Sequence, residues 1–210
     1  MTRSFVLVLL ALLVGCGSDA ASPPAPSRAP DPVVATTPDE APTLDDGMSL
    51  QQLELDLEDQ DGHAFQLTAL EGHPVLLTFF YSRCDTMCPL IVSDVRAVEA
   101  ALPEGVRAEL RVVIVTIDPE HDTAARLREV ARERGLPLDR WSLVRGADAE
   151  VRTLASTLGM NYRATPDGFA HNAILTVLDA HGAVAAQTLG TGQPVQPLVD
   201  AITHIARPRS

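Results

Sequence analysis

Two cysteines separated by three residues form the part of this sequence that is best suited to chemistry. Cys84 and Cys88 lie in the segment 81–89, Tyr-Ser-Arg-Cys-Asp-Thr-Met-Cys-Pro. Pro89 fits the first turn of a helix, which would place Cys88 at a helix N-terminus, where thiol pKa values are lowered. A loop of this length can bring two sulfurs within disulfide distance or onto one soft metal, such as Cu(I), zinc or an iron–sulfur cluster. A purely structural disulfide is the alternative.

The hydrophobic pattern on either side of the cysteines predicts an α/β fold. Residues 74–80 form a continuous apolar run, typical of a strand buried on both faces, and residues 90–102 have helical spacing. Further strands are predicted at 111–117, 141–144, 173–178 and 183–189, further helices at 123–134, 149–158 and 194–206, and an N-terminal β-hairpin with its turn at Asp61-Gly62. A central mixed sheet flanked by helices, with two cysteines between a strand and a helix, is the thioredoxin-like arrangement.

Two thiolates alone leave a copper or zinc site short of ligands, so a third ligand should come from elsewhere in the chain. His171 opens the predicted strand 173–178, whose entrance lies beside the active loop in thioredoxin-like folds. His121 follows an Asp-Pro step and could approach the cysteine loop, and Met87 offers a soft sulfur. The other four histidines are predicted to be surface residues: His63, His73, His181 and His204.

The first sixteen residues are typical of an exported lipoprotein. The apolar run from Phe5 to Val14 has ten residues, whereas a membrane span needs roughly 20. Residues 1–15 are therefore predicted to be a signal peptide. The sequence Leu-Val-Gly-Cys at 13–16 resembles a bacterial lipobox, which implies cleavage before Cys16 and lipidation of its sulfur. A plain signal peptide with an incidental cysteine is the alternative.

The rest of the chain divides into a tether and one domain. Residues 16–47 are rich in proline, alanine and acidic residues and contain too few large apolar side chains to fold. Residues 48–210 are predicted to be the folded domain. With 46% hydrophobic but only 4% aromatic residues, its core must consist mainly of alanine, valine and leucine.

The charge and the cysteine count exclude two classes of protein. The formal charge is -12 and the pI is about 4.8, which argues against a nucleic-acid partner, because phosphate binding needs clustered positive charge. Three cysteines in 210 residues are too few for a disulfide-framework scaffold. If Cys16 carries a lipid, the other two remain as the pair described above.

Three blocks of the sequence resemble the Sco/SenC family, copper chaperones of cytochrome c oxidase assembly. The segment 84–89 is similar to the family's C-x-x-x-C-P motif, and Val-Thr-Ile-Asp-Pro-Glu-His-Asp-Thr at 115–123 is similar to its D-P-x-x-D-T segment. His171, ahead of Leu-Asp-Ala-His-Gly at 178–182, resembles its metal-binding histidine. Asp85 and Ala124 stand where the family often has proline.

The resemblance implies a thioredoxin-like domain that binds one copper ion through Cys84, Cys88 and His171. It implies delivery of copper to the binuclear copper centre of oxidase subunit II, or reduction of that centre's cysteines. Asp118 is expected to support the site or a docked partner; a plain turn residue before a helix is the alternative. The implied partners also include a thiol reductase or another copper donor, and the membrane, through a lipid that anchors the domain outside the cytoplasm in the cell envelope (on the periplasmic face in a two-membrane cell).

Three functions are to be weighed against the sequence. The first is a metallochaperone, which is a binding protein and not an enzyme. The second is a thiol–disulfide oxidoreductase that uses Cys84 and Cys88 as a redox-active pair without a metal. His171 separates these two, because thiol exchange does not require it. The third, a peroxiredoxin-like peroxidase, lacks a Thr-Pro-x-x-Cys block in this chain.

Overall fold

The computed structural model describes residues 49–206. The predicted signal peptide (1–15), the lipidated Cys16 and the tether (16–47) therefore lie outside the described residues. Within 49–206, no helix combines the length and the apolar character that crossing a bilayer would require.

The described residues form a mixed α/β structure, as predicted. The strands are β1 (Leu57–Asp59), β2 (Ala64–Phe65), β3 (Val75–Phe80), β4 (Arg111–Thr116), β5 (Trp141–Gly146), β6 (Tyr162–Thr165), β7 (Gly168–His171), β8 (Ile174–Leu178) and β9 (Val184–Leu189). The helices are α1 (Met87–Ala101), α2 (Glu104–Glu109), α3 (Ala124–Arg134), α4 (Asp148–Thr157) and α5 (Gln196–Ile205). Short 3-10 turns lie at Leu50–Gln52 and Leu67–Leu70.

A seven-stranded sheet with the order β2-β1-β5-β4-β3-β8-β9 organises the domain. Strands β3, β4 and β5 are parallel, whereas β8 pairs with β3 in the antiparallel direction. Every residue of β3 is buried, including Thr78, whose hydroxyl donates a hydrogen bond to the carbonyl of Ile174 at 2.7 Å. Strands buried on both faces read as continuous apolar runs, which is why this strand was predictable.

The parallel pair of β3 and β4 determines where the chemistry lies. The carboxyl ends of parallel neighbours meet at the same edge of a sheet, so the loops that follow β3 and β4 lie next to each other. The first loop carries the cysteines, and the second carries the Asp-Pro segment at 118–119.

Two elements were not predicted, and both have weak sequence signals. Helix α2 has no buried residue, and the separate two-stranded sheet of β6 and β7 is short and has none either. Its residues Phe169 and His171 contact the ring of Tyr81, which is distant in the chain. His171 is therefore the last residue of β7, paired with Tyr162, and not the first residue of the strand Ile174–Leu178.

The predicted start of the helix after the cysteines was also wrong. Helix α1 begins at Met87, so Cys88 and Pro89 both lie in its first turn, whereas residues up to Cys88 had been predicted to be a loop. Proline is tolerated there because the first N–H groups of a helix have no partner within the helix.

Candidate thiol and metal site

The two cysteines lie together at the carboxyl end of β3 as free, buried thiols. Cys84 is 4% exposed and Cys88 is fully buried. The backbone N–H of Cys88 donates to the Cys84 sulfur at 3.3 Å. The Cys88 thiol and the Cys84 N–H both point to the carbonyl of Tyr81, at 3.5 and 3.2 Å. This arrangement holds two sulfurs close enough to act as a pair.

The sulfur of Cys84 occupies the position of a helix N-cap group. The residue at the cap position, Thr86, makes no side-chain capping bond, and the N–H of Cys88 donates to the Cys84 sulfur at 3.3 Å. The first N–H groups of a helix need an acceptor from outside it, and they favour a negative one. The fold thus directs the helix dipole at Cys84.

The two thiols consequently have opposite pKa shifts. Burial raises the pKa of the Cys84 thiol, but the adjacent Cys88 thiol and the backbone N–H groups at the start of α1 outweigh it, so its pKa is below the ordinary value. Burial, with Cys84 close by, raises the pKa of Cys88 far above the ordinary value. The prediction of a lowered pKa at Cys88 was wrong, because the helix N–H groups point at the sulfur four residues earlier. Of the two sulfurs, Cys84 is therefore the one whose thiolate form is favoured.

Asp118 binds Arg83, the residue immediately before Cys84. It is 3% exposed, and its carboxylate accepts two hydrogen bonds from the Arg83 guanidinium, at 2.7 and 3.0 Å. Its other oxygen contacts Nδ1 of His121 at 2.8 Å, so His121 does approach the cysteine loop. The N-cap of α3 is Thr123, and the side chain of Asp118 is directed at the cysteine loop and not at that helix.

Asp122 is a second buried acid that contacts the cysteine loop, and it was not among the predicted site residues. It is fully buried; one carboxylate oxygen accepts the N–H of Ser82 at 3.0 Å and the hydroxyl of Thr116, while the other oxygen has no hydrogen-bond partner. The signal was present, because Asp122 is the second aspartate of the D-P-x-x-D-T block. Both aspartates of that block therefore position the residues immediately before Cys84.

His171 contacts Tyr81, the residue whose carbonyl holds both cysteines. It is half-buried, and its ring meets the Tyr81 ring edge-on with the centroids 6.1 Å apart. Its Nδ1 is 2.9 Å from the carbonyl of Asn172. A carbonyl only accepts, so Nδ1 must carry the proton, which leaves the Nε2 lone pair available as a ligand.

The three predicted ligands do not converge on one point. Among residues 49–206, the three ligand atoms of Cys84, Cys88 and His171 do not all lie within 4.8 Å of one another. The structure thus pairs the two thiols, and Tyr81, whose carbonyl contacts both cysteines, also contacts the ring of His171.

The only described group that meets this distance criterion is Asp59, Asp61 and His63, in the exposed β1–β2 turn. There the Asp59 carboxylate accepts the N–H groups of Asp61 and His63, and Arg128 pairs with Asp61. These contacts form the hairpin turn.

The remaining candidate ligands are placed as follows. Met87 starts α1 and packs partly against the core. His73 contacts Glu109 at 3.4 Å, and His204 is exposed in the last turn of α5. His181 lies in the turn between β8 and β9. Met87 therefore lies within the cysteine segment but packs against the core. The three histidines are distant from that segment in the chain.

A buried strand that ends in two paired cysteines at a helix N-terminus defines a thioredoxin-like thiol protein. The SCO1/SenC family model matches residues 47–207, and the chain belongs to that family. A curated relative, the SCO1 protein homolog of Bacillus subtilis (strain 168), is 26% identical over 99 residues, which are 47% of this chain and 51% of the relative. The chain spans about half or less of the length of the curated relatives that it matches.

Solved structures confirm the fold. Arabidopsis thaliana ScoI with copper bound matches with a TM-score of 0.62 and 19% identity, over 74% of this chain and 97% of that one. BsSco, described as a member of the Sco family of cytochrome c oxidase assembly proteins with a disulfide switch, matches with a TM-score of 0.63 and 19% identity, over 73% and 91%. Homologues in this family therefore bind copper.

Proposed function

We propose that this protein is a copper metallochaperone that binds one copper ion through Cys84, Cys88 and His171. It delivers that ion to the binuclear copper centre of cytochrome c oxidase subunit II, or keeps the cysteines of that centre reduced. The observation that carries the proposal is the pair of buried, free thiols on one loop, together with a histidine that contacts Tyr81 of the same loop and has an available Nε2. The copper-bound ScoI and the family membership support it.

The donor set suits Cu(I) better than a hard cation. Thiolates are soft ligands, and imidazole also suits copper. The backbone N–H groups on Cys84 favour its thiolate form, which is the form that binds a metal. Asp118 and Asp122 hold the residues before Cys84 in place, so we assign both a supporting role behind the ligands.

A thiol–disulfide oxidoreductase is the second candidate, and a specific observation favours it. Cys84 has a lowered pKa and Cys88 a raised one, which is the division of roles between an attacking and a resolving thiol. The separation of His171 from the sulfurs also fits a reaction that needs no third ligand.

One experiment separates the two candidates. The reduced protein is titrated with Cu(I), while its reduction of an oxidised peptide with the copper-site cysteines of subunit II is measured in parallel. A metallochaperone should bind one Cu(I) per chain and pass it to the reduced peptide. Reduction of the peptide by a chain that binds no copper would contradict the metallochaperone and favour the oxidoreductase.

We further propose that a lipid on Cys16 anchors the domain outside the cytoplasm, on the periplasmic face in a two-membrane cell. The lipobox-like sequence at 13–16 supports this, because the cysteine stands where lipidation requires it. Cys16→Ser should release the protein from the membrane fraction or block its processing. A variant that stays in the membrane fraction with normal processing would contradict the anchor.

A further inference from the structure

We propose that Arg145 is a positioning residue of this site, and that its guanidinium holds the segment 118–122 where Asp118 and Asp122 can reach the residues before Cys84. The proposal deepens the proposed function and rests on it only where copper affinity is concerned. Arg145 lies in β5, which β4 separates from β3, so it acts on the cysteine loop through other residues.

The guanidinium of Arg145 bonds to three groups at once. Its Nε donates to the backbone carbonyl of Asp122 at 3.0 Å, and one terminal nitrogen donates to the carbonyl of Pro119 at 3.1 Å. The other terminal nitrogen donates to the Glu58 carboxylate at 3.1 Å. A guanidinium is planar and carries its donors in a fixed fork, so three contacts in different directions fix both its position and its orientation.

The sheet determines where this guanidinium lies. Glu58 in β1 and Arg145 in β5 stand directly opposite each other in an antiparallel pair, and β5 pairs in parallel with β4. The Arg145 side chain is 26% exposed and that of Glu58 is 37% exposed, so their ion pair is partly shielded from water. Opposite charges on neighbouring strands attract each other, which keeps the arginine side chain in this place.

The segment that Arg145 holds has no regular structure of its own. It lies between the end of β4 and the start of α3, so neither a strand ladder nor a helix fixes residues 118–122. The N–H groups of His121 and Asp122 both bond to the Asp118 carbonyl, which makes the segment a compact turn. These local bonds set the shape of the turn, and the contacts of Arg145 fix its backbone to the sheet.

The two aspartates transmit the position of this turn to the cysteine loop. Asp118 accepts two hydrogen bonds from Arg83, and Asp122 accepts the N–H of Ser82 at 3.0 Å. Both aspartates are buried, so water does not readily replace these bonds. Without the contacts of Arg145 the turn should shift, and the Ser82 amide, two residues before the first cysteine, should lose its acceptor more often.

The test measures backbone amide exchange by NMR in the full chain, reduced and free of copper. Arg145→Gln should speed exchange at Ser82 by roughly 2- to 10-fold, the effect of one hydrogen bond, relative to Leu77. Leu77 is fully buried in the middle of β3, so its amide reports on unfolding of the whole domain. Arg126→Gln is the matched control, because it removes the same charge from an arginine that pairs with two glutamates of its own helix.

Arg145→Lys separates the shape of the guanidinium from its charge. A lysine ammonium keeps the charge but cannot bridge both carbonyls and Glu58 as the fork does, so exchange at Ser82 should remain fast. Full recovery in Arg145→Lys, equal acceleration at Ser82 and Leu77, or equal effects of Arg145→Gln and Arg126→Gln would overturn the proposal. Should Arg145→Gln fail to fold, Arg145→Lys must itself speed exchange at Ser82 relative to Leu77.

Copper affinity provides the second measurement. Arg145→Gln should weaken Cu(I) binding by about 2- to 10-fold, because the cysteine loop is then held less firmly, and Arg126→Gln should leave it unchanged. Faster exchange at Ser82 with unchanged Cu(I) affinity would overturn the role of Arg145 in the site. A wild-type chain that binds no copper would remove the proposed function, while the exchange rates would still decide whether Arg145 positions the loop.

Discussion

Oxidation of Cys84 and Cys88 to a disulfide should abolish copper binding by this protein, and a reductant should restore it. Metal binds to thiolates, and a disulfide offers neither of the two sulfurs in that form. The two cysteines are already held close together, since the Cys88 thiol and the Cys84 N–H both approach the Tyr81 carbonyl and the Cys88 N–H bonds to the Cys84 sulfur. The expected change is from one bound ion per chain to none.

The measurement is the Cu(I) stoichiometry of the oxidised and the reduced protein under anaerobic conditions. Cys84→Ser and Cys88→Ser are the matched controls, because neither can form the disulfide and each should bind copper weakly in both conditions. Equal stoichiometry in the oxidised and reduced wild type would exclude the pair as ligands. Because both sulfurs bind as thiolates, copper binding should also weaken as the pH falls.

Replacement of His171 should weaken copper binding by at least about 10- to 100-fold. That is the loss typical of removing a residue that only supports a metal ligand, and removing a ligand itself should cost at least as much. Its imidazole would add a third donor to the two thiolates, from the β7 end of the hairpin. His171→Ala should leave the domain folded, with a loss of about 1 kcal/mol or less in the free energy of unfolding, because the side chain is only half-buried. Cys84 and Cys88 should still form and exchange a disulfide.

The variant is titrated with Cu(I) beside the wild type, and reduction of a subunit II peptide is assayed in parallel. His204→Ala is the matched control, since His204 is an exposed histidine in α5. A metallochaperone should fail in oxidase assembly after His171→Ala, whereas a thiol reductase should keep working. Unchanged copper affinity in His171→Ala would show that the three-ligand site is wrong and would favour the oxidoreductase.

Much of the fold was predictable because burial on both faces of a strand leaves a local signature. The apolar runs that became β3 and β4, and the helix that follows the cysteines, could be found by their hydrophobic pattern. The β6–β7 hairpin could not, because its short strands have no buried residue and pack through Phe169 on Tyr81, a residue far away in the chain.

The same distinction between local pattern and long-range contact holds for the site. The sequence by itself determined which thiols form the pair, that a buried strand precedes them, and that an acid-rich Asp-Pro loop belongs to the same region. Only the tertiary structure decided which sulfur is activated, because the direction of the helix N–H groups depends on where α1 begins. It also decided what Asp118 and Asp122 do, since they reach Arg83 and Ser82 across 35 and 40 residues of chain. Contacts of that range arise when parallel strands bring their ends together, and no local pattern of residues encodes them.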